Sequence, residues 1–267
     1  MKMNKTTFFL MLLPFLCYGQ QTTVIIPSDF IETAQPMVGS SDWSDLIHSD
    51  QECAVSIVHG MLEVRNPFQN RNACMDEDDC YCKLEIRDGI IKGKNWGEWG
   101  GELYYEPTDV KKLNIIIKKG NIQYIFEYNH KLYFIEGLAH LGMSSGALFE
   151  LNRTRKKFNY QKIFDFEDAP AAFTFFDGKL LIAGNRNFYV LDQLKKELVF
   201  KDMFWSGLYP NSVAALDEKN VFIGIRSGIV KLDLIEKKAT FYKKKEVQRP
   251  VDRTPSSLPV MSNRSEF

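Results

Sequence analysis

Four stretches of the chain share one pattern and read Gly101-Glu-Leu-Tyr-Tyr-Glu-Pro107, Gly146-Ala-Leu-Phe-Glu-Leu-Asn152, Asn187-Phe-Tyr-Val-Leu-Asp192 and Gly228-Ile-Val-Lys-Leu-Asp233. Each copy is followed by a lysine-rich turn and a further apolar run. When the copies are aligned on their third residue, they lie 45, 41 and 41 residues apart. A period of about 40–45 residues is typical of a four-stranded propeller blade. The repeat therefore predicts an all-β fold built from recurring units.

The segments between these copies supply the other strands of each unit. Alternating β-branched and aromatic residues favour strands over Ile122–Tyr128, Ala171–Phe176 and Ser212–Leu216. A turn and a second strand follow each run, and that second strand ends near Gly137, Gly184 or Gly224. Glycine at this point suits the close approach of backbones near a propeller axis. The sequence predicts a β-propeller of four four-stranded blades, or of five if the N-terminal lead-in completes one.

The N-terminus has the features of an export signal. Lys2 and Lys5 precede an apolar run over residues 8–16, which is shorter than the roughly 20 residues that a membrane span needs. We expect a signal peptide over residues 1–19 and a product exported to the periplasm or secreted. No integral membrane domain is expected after cleavage. Two alternatives stay open, an uncleaved N-terminal anchor and a lipid attached to Cys17.

The rest of the chain divides into three parts by composition. Residues 20–50 are polar and contain Pro27 and Pro36, so they predict an extended lead-in and no packed element. Residues 51–245 carry the propeller repeats, and no convincing amphipathic helix interrupts them. Residues 246–267 are rich in Pro, Ser, Arg and Asn with little to bury, which predicts a disordered tail.

The composition argues against some classes of function but does not identify one. The chain is 45% hydrophobic, enough to fill a sizeable core, and its 34 Lys and Arg balance 34 Asp and Glu. Proteins that bind nucleic acids generally need a basic excess to pair with phosphates. We therefore expect no nucleic-acid partner. No motif for a cofactor or a phosphate loop is present, so we expect no cofactor.

Four cysteines remain after removal of the signal, namely Cys53, Cys74, Cys80 and Cys82. An even number in an exported chain predicts disulfides. We expect Cys74 to pair with Cys80 or Cys82, and Cys53 to take the remaining one. A zinc site is the competing interpretation, but this spacing fits no common zinc motif. The acidic run over residues 76–79 lacks the spaced oxygen ligands of a calcium loop, so no metal site is predicted.

The fourth unit carries a family resemblance. It reads Tyr209-Pro-Asn-Ser-Val-Ala-Ala-Leu-Asp-Glu-Lys-Asn-Val-Phe-Ile-Gly-Ile-Arg-Ser-Gly-Ile-Val-Lys-Leu-Asp233. This stretch resembles the repeats of the two-component-regulator and related sensor propellers, and a weaker likeness extends over roughly residues 84–245. Phe222 stands where that family usually has Trp, and no membrane span or kinase module follows the repeats. The resemblance implies a propeller and ligand sensing, and it carries over no catalytic residue.

Candidate ligand-binding residues lie where the connections between second and third strands depart from the repeat. These connections span residues 94–101, 137–146, 184–187 and 224–228, and function often resides in such loops on a rigid scaffold. Tryptophans beside a carboxylate would suit stacking on a sugar or an aromatic ring, and arginines after the glycines would suit an anion. The predicted ligand-binding residues are Trp96, Glu98, Trp99, His140, Arg186, Trp205 and Arg226.

Three functions are compatible with these residues. The leading interpretation is an exported propeller that binds a small molecule, a glycan or a protein partner without catalysis. A propeller enzyme acting on a glycan or small metabolite is the main alternative, with His140, Glu98 and Asp177 as acid–base groups. A structural or assembly module, in which blade edges pair with a partner strand, is the third.

Overall fold

A computed structural model describes residues 24–67, 81–154 and 157–245 of the chain. Within these ranges the fold is all-β, with strands in five antiparallel sheets and one short α-helix. Five sequence predictions lie outside the described residues: the signal peptide, the Cys17 lipid site, the acidic run, the C-terminal tail, and the pairing partners Cys74 and Cys80.

The N-terminal elements are one strand, a short helix and a hairpin. They are β1 (Phe30–Thr33), α1 (Ser41–Ile47) and a hairpin made of β2 (Ala54–Val58) and β3 (Met61–Arg65). The hairpin forms a two-stranded sheet of its own.

Four sheets of four consecutive strands follow, and each is an antiparallel meander. The first contains β4 (Tyr81–Ile86), β5 (Gly89–Asn95), β6 (Gly101–Pro107) and β7 (Ile115–Lys119). The second contains β8 (Ile122–Tyr128), β9 (Lys131–His140), β10 (Met143–Arg153) and β11 (Phe158–Phe166). The third contains β12 (Pro170–Phe176), β13 (Lys179–Gly184), β14 (Phe188–Asp192) and β15 (Lys195–Phe200). The fourth contains β16 (Ser212–Asp217), β17 (Asn220–Ile225), β18 (Gly228–Asp233) and β19 (Lys238–Lys244).

The four repeat copies form the third strand of each four-stranded sheet, β6, β10, β14 and β18. The lysine-rich turns then lead into the outer strands, as the sequence predicts. The all-β class is confirmed, and so is the recurrence of one four-stranded unit.

The sheets pack side by side through their first strands. Strand β4 contacts β8, β8 contacts β12, β12 contacts β16, and β16 contacts β2 of the hairpin. Glycines at the ends of second strands permit this approach. A Cβ at Gly93 would lie 2.4 Å from Ile122 Cγ2, and one at Gly224 would lie 2.4 Å from the carbonyl oxygen of Cys53. Both distances are far below a van der Waals contact, so a side chain there would force neighbouring sheets apart.

Apolar clusters fill the space between neighbouring sheets. Phe134 lies between the first and second sheets, and Tyr189 between the second and third. Trp205 and Ile223 lie between the third and fourth, and Phe222 lies between the fourth sheet and the hairpin. Each of these side chains is essentially inaccessible to solvent. The core is therefore a series of layers between sheets.

The lead-in is packed, so its prediction as an extended, unpacked segment is wrong. Strand β1 pairs antiparallel with β19, with Phe30 opposite Lys244, and adds a fifth strand to the fourth sheet. Helix α1 is capped by Ser40, and its Trp43 Nε1 donates to the Phe204 carbonyl at 2.9 Å. The sequence analysis missed this helix because it has seven residues and buries only Leu46.

The hairpin that precedes the first sheet in sequence packs at the other end of the series. Strands β2 and β3 lie beside the fourth sheet. The inner strands of the first sheet are β4 and β5. The long insertion between β3 and β4 separates the two hairpins in sequence.

The predicted disulfides involving Cys53 and Cys82 are absent, because both residues are free thiols. Cys53 is fully buried in the cluster between the fourth sheet and the hairpin. Cys82 packs with the core between the first and second sheets, where its Sγ lies 3.9 Å from the carbonyls of Gly93 and Ile122. Burial raises the pKa of Cys53 to about 11 and that of Cys82 to about 12.

Docking of β1 can be tested by two substitutions on the same strand. Phe30 is buried, whereas Ile31 is 45% exposed. We expect Phe30→Ala to lower the free energy of unfolding by about 3 kcal/mol, because it leaves a cavity in the core. The matched control Ile31→Ala should cost less than about 1 kcal/mol. Urea unfolding measures both, and equal effects would show that β1 is not docked as described.

The cysteines make a second prediction. Because burial raises their thiol pKa values, Cys53 and Cys82 stay protonated at pH 8, and the neutral thiol is a poor nucleophile. We expect iodoacetamide to modify both residues much more slowly in the folded protein than in denaturant. Mass spectrometry of the peptides that contain them reads the result. Equally fast labelling in both conditions, or recovery of either residue in a disulfide-linked peptide, would contradict the structure.

Candidate functional site

A cleft of about 530 Å³ opens where the first three sheets meet the connection into the fourth. We refer to it as the cleft. Its walls come from six places in the chain: the turn after β5, the start of β8, the hairpin tip between β9 and β10, the start of β12, and two connections at the ends of β13 and β15. The lining residues include Asn95, Gln123, Leu138 to Ser144, Ala169 to Ala171, Asn185, Arg186, and Ser206, Gly207, Tyr209 and Pro210.

The hairpin tip between β9 and β10 is a rigid arm. The sequence analysis predicts a long loop over residues 137–146, but the ladder continues until His140 pairs with Met143. Only Leu141 and Gly142 form the turn, and both have positive φ, at 46° and 83°. Two positive φ values are typical of the tight turn that suits the twist of a hairpin. The residues by which this connection exceeds those of the other sheets are therefore part of strands β9 and β10, and their side chains border the cleft.

A contact between His140 and Glu98 links the arm to the first sheet. His140 Nε2 lies 2.9 Å from Glu98 Oε2, and Glu98 belongs to a single 3₁₀ turn, Gly97–Trp99. The same turn is anchored from the second sheet by Asn121, whose Nδ2 donates to the Gly97 carbonyl at 2.7 Å. His140 and Glu98, both predicted site residues, therefore meet at the cleft rim, where they connect neighbouring sheets.

The buried carboxylate of Asp168 organises the floor of the cleft. It accepts hydrogen bonds from Ser144 Oγ at 2.5 Å, from the Arg186 backbone N–H at 2.6 Å and from the Asn187 backbone N–H at 2.9 Å. Ser144 Oγ in turn accepts from the Ala169 N–H at 2.9 Å. Three lining segments are thus connected through one side chain that is fully buried. The sequence analysis missed Asp168, since no motif or spacing distinguishes it from other acidic turn residues.

Arg186 lines the cleft. Its backbone is held on both sides, by the N–H donated to Asp168 and by a carbonyl that accepts from the Met203 N–H at 2.8 Å. Nε lies 3.6 Å from Asp202 Oδ1, and the side chain is 44% exposed. Within the described ranges, the terminal nitrogens of Arg186 have no hydrogen-bond acceptor. Arg186 thus lies at the cleft, and its role in binding stays a prediction.

Arg226 acts behind the cleft instead of lining it. Its Nε lies 2.6 Å from Glu52 Oε1, and its Nη1 donates to the Ile47 carbonyl at 2.7 Å. The guanidinium carbon is 4.6 Å from the centre of the Tyr209 ring, and Tyr209 does line the cleft. Tyr209 has a φ of 51°, an uncommon conformation for a residue with a side chain. Arg226 therefore holds an aromatic residue that the sequence analysis did not select.

The tryptophans do not converge as predicted. Trp205 is fully buried in the core, where its Nε1 donates to the Gly184 carbonyl at 3.3 Å. Trp96 and Trp99 are 50% and 82% exposed and do not line the cleft. Asp177 lies in the turn after β12, roughly 20 Å from the cleft end of that strand at 3.3 Å per residue. Of the predicted site residues, only His140, Glu98 and Arg186 are brought together here.

Among the residues that the structure describes, no group of three or more His, Cys, Asp or Glu side chains is placed to hold a metal ion. The helices in those parts of the chain include none that is long and apolar enough to cross a membrane.

Comparison of the chain with models of known protein families and with curated proteins found no match. The resemblance to sensor propellers therefore stays a prediction carried by the residues of the fourth unit.

Asp168 offers a direct test of how the cleft is held. We expect Asp168→Asn to lower the free energy of unfolding by about 2–4 kcal/mol, because it removes a buried charge that accepts three hydrogen bonds. Asp165→Asn is the matched control, since Asp165 is exposed and its carboxylate pairs with Lys162. That change should cost no more than about 0.5 kcal/mol. Guanidinium unfolding measures both. A wild-type midpoint for Asp168→Asn would show that this carboxylate does not stabilise the fold.

Proposed function

We propose that the protein is a β-propeller that binds a small ligand in the cleft without chemically changing it. The fold supports this proposal through its regularity. Four meander sheets have the same strand order, and their first strands adjoin in chain order. Such radial repetition of four-stranded sheets is the principle of propeller architecture.

The hairpin of β2 and β3 takes the position of a fifth, short blade in this proposal. Its β2 packs on β16 as β12 packs on β8. Gly224 approaches the start of β2 in the same way that Gly93 approaches Ile122 at the start of β8. Because a glycine of the preceding sheet contacts the hairpin as it contacts a full sheet, the hairpin occupies the position expected of the next blade.

The convergence of repeat-breaking segments in one cleft is the observation that carries the functional proposal. Turns from the first, second and third sheets meet there, and they are the connections that the sequence analysis selected. The Asp168 hydrogen bonds and the contact between His140 and Glu98 hold these segments in place before any ligand binds. A preformed concave site with a few polar groups is typical of small-molecule binding, and its rigidity reduces the entropy cost of binding.

The shape of the site favours a small molecule or short glycan over a protein partner. Protein interfaces of standard size bury about 800 Å² on each partner, usually on a broad surface. Here the amide and hydroxyl groups of Asn95, Gln123, Asn185 and Ser206 surround a concave space. These groups suit hydrogen bonds to a polar ligand.

A propeller enzyme is the second candidate, and the His140–Glu98 pair is the observation that favours it. An imidazole oriented by a carboxylate is an arrangement used for general base catalysis. The third predicted acid–base group, Asp177, lies at the opposite end of its sheet. We therefore place binding ahead of catalysis. Export from the cytoplasm, based on the N-terminal sequence, belongs to the same proposal.

Ligand binding in the cleft can be tested by filling it. Ala171 lines the cleft and is exposed, so Ala171→Trp adds bulk there without entering the core. Lys195→Trp, at the far end of the same sheet, is the matched control. A panel of small metabolites and glycans is screened by thermal shift. We expect any stabilising compound to lose its effect in Ala171→Trp and keep it in Lys195→Trp.

Two outcomes would count against this proposal. A compound that stabilises all three proteins equally binds elsewhere. Turnover of a panel member that is abolished by His140→Gln would favour the enzyme over the binding protein.

A further inference from the structure

We infer that the ligand of the cleft is a small organic anion whose carboxylate or phosphate oxygens pair with the terminal nitrogens of Arg186. This inference rests on the proposed function and adds the chemical class of the ligand. It follows from which charges line the cleft, which charges lie behind it, and which nitrogen atoms have no acceptor.

The charged side chain among the lining residues is basic. Arg186 lines the cleft, and no aspartate or glutamate is among the lining residues. The carboxylates near the cleft each lie beside donors or a basic group: Asp168 accepts from its three donors, Glu98 lies beside His140, and Asp202 lies 3.6 Å from the Nε of Arg186. Lys201 adds a further positive charge 3.9 Å from Asp202. The open side of the cleft therefore favours negative charge.

The backbone of Arg186 is fixed before a ligand arrives, because its N–H and its carbonyl are both hydrogen-bonded. Its Nε is buried without a hydrogen-bond acceptor, since the nearest carboxylate oxygen, Asp202 Oδ1, is 3.6 Å away. The guanidinium of this lining residue is therefore a planar group of donors that the described residues do not satisfy. The fork of a guanidinium matches the two oxygens of a carboxylate or phosphate in bidentate geometry. Among the described residues none supplies those oxygens, so a ligand is the natural source.

The remaining walls indicate what the anion is attached to. Leu138, Pro170 and Tyr209 present apolar surface, and the Tyr209 ring is held from behind by Arg226. A volume of about 530 Å³ accommodates a compact ligand and excludes a long polymer. We therefore infer one oxyanion on a compact body that has an apolar or ring-shaped face.

The test is a set of matched pairs measured by isothermal titration calorimetry on the full chain. The acids are butyrate, octanoate, benzoate and phenylacetate, the neutral partners are the corresponding amides, and phenyl phosphate provides the phosphate arm. We expect acids to bind about tenfold or more tightly than their amides, because a charged bidentate contact is lost in the amide. Binding should also weaken as salt increases.

The variants assign the contact to one side chain. Arg186→Gln should weaken binding of the best acid by about tenfold or more, and Arg186→Lys should lie between it and the wild type, since lysine keeps the charge but not the fork. Lys237→Gln is the control that removes a positive charge at the far end of the fourth sheet. Asp168 accepts from the backbone of residue 186, so it keeps this hydrogen bond in the variants. If Arg186→Gln nevertheless fails to fold, the acid–amide comparison on the wild type still decides.

Each result has one meaning. Equal affinity for acids and amides, or wild-type affinity in Arg186→Gln, overturns the anion inference and leaves the proposed binding function standing. Tighter binding of phenyl phosphate than of benzoate supports the oxyanion site and assigns phosphate as its source. If neither this set nor the wider panel of metabolites and glycans binds, the proposed function itself fails.

Discussion

The close approach between neighbouring sheets is the constraint on which the structure depends. At the end of a second strand, the backbone of one sheet lies against the first strand of the next with no room for a side chain. Gly93 and Gly224 meet this requirement against Ile122 and the Cys53 carbonyl, and Gly137 meets it less tightly against Pro170, at 3.0 Å. The approach aligns one end of every sheet, so the connections at that end come together. The cleft is formed by those connections, and its position follows from how the sheets pack.

Polar contacts then convert that meeting point into a defined site. Asp168 is the central one, because a buried carboxylate must find donors, and it finds them on three segments at once. His140 and Glu98 add a link across to the first sheet. In both cases the cost of leaving a polar group unpaired selects one arrangement of the turns. The same contacts determine where Arg186 projects, so the folding requirement and the proposed binding chemistry share residues.

The regular part of the fold could be predicted from the sequence because it depends on local patterns. Alternation in Ile122–Tyr128 and the turn after Phe176 specify strands and hairpins without information from distant residues. The exceptions depend on partners that are remote in sequence. Strand β1 becomes recognisable only through its pairing with β19. The sequence around Trp205 does not distinguish a surface residue from a core residue, because its burial depends on the packing of the third and fourth sheets.

The site was predictable to the same extent and for the same reason. His140 and Arg186 lie in segments where the repeat changes length or charge, which a sequence alignment of the units reveals. Asp168 has no such signal, because its importance comes from three donors that only the folded chain brings together. The cysteine pairing failed because parity and spacing do not encode burial: Cys53 and Cys82 fill space in separate clusters.

The pairing of β1 with β19 joins the first and last strands of the described chain. During synthesis, β1 leaves the ribosome before any of the four-stranded sheets, yet its partner is made last. Phe30 therefore cannot take its native position opposite Lys244 until β19 has been made. The fourth sheet can therefore be completed only after the whole repeat array has been translated. A chain that stops short of β19 leaves the apolar side chains of β1 available to chaperones and proteases.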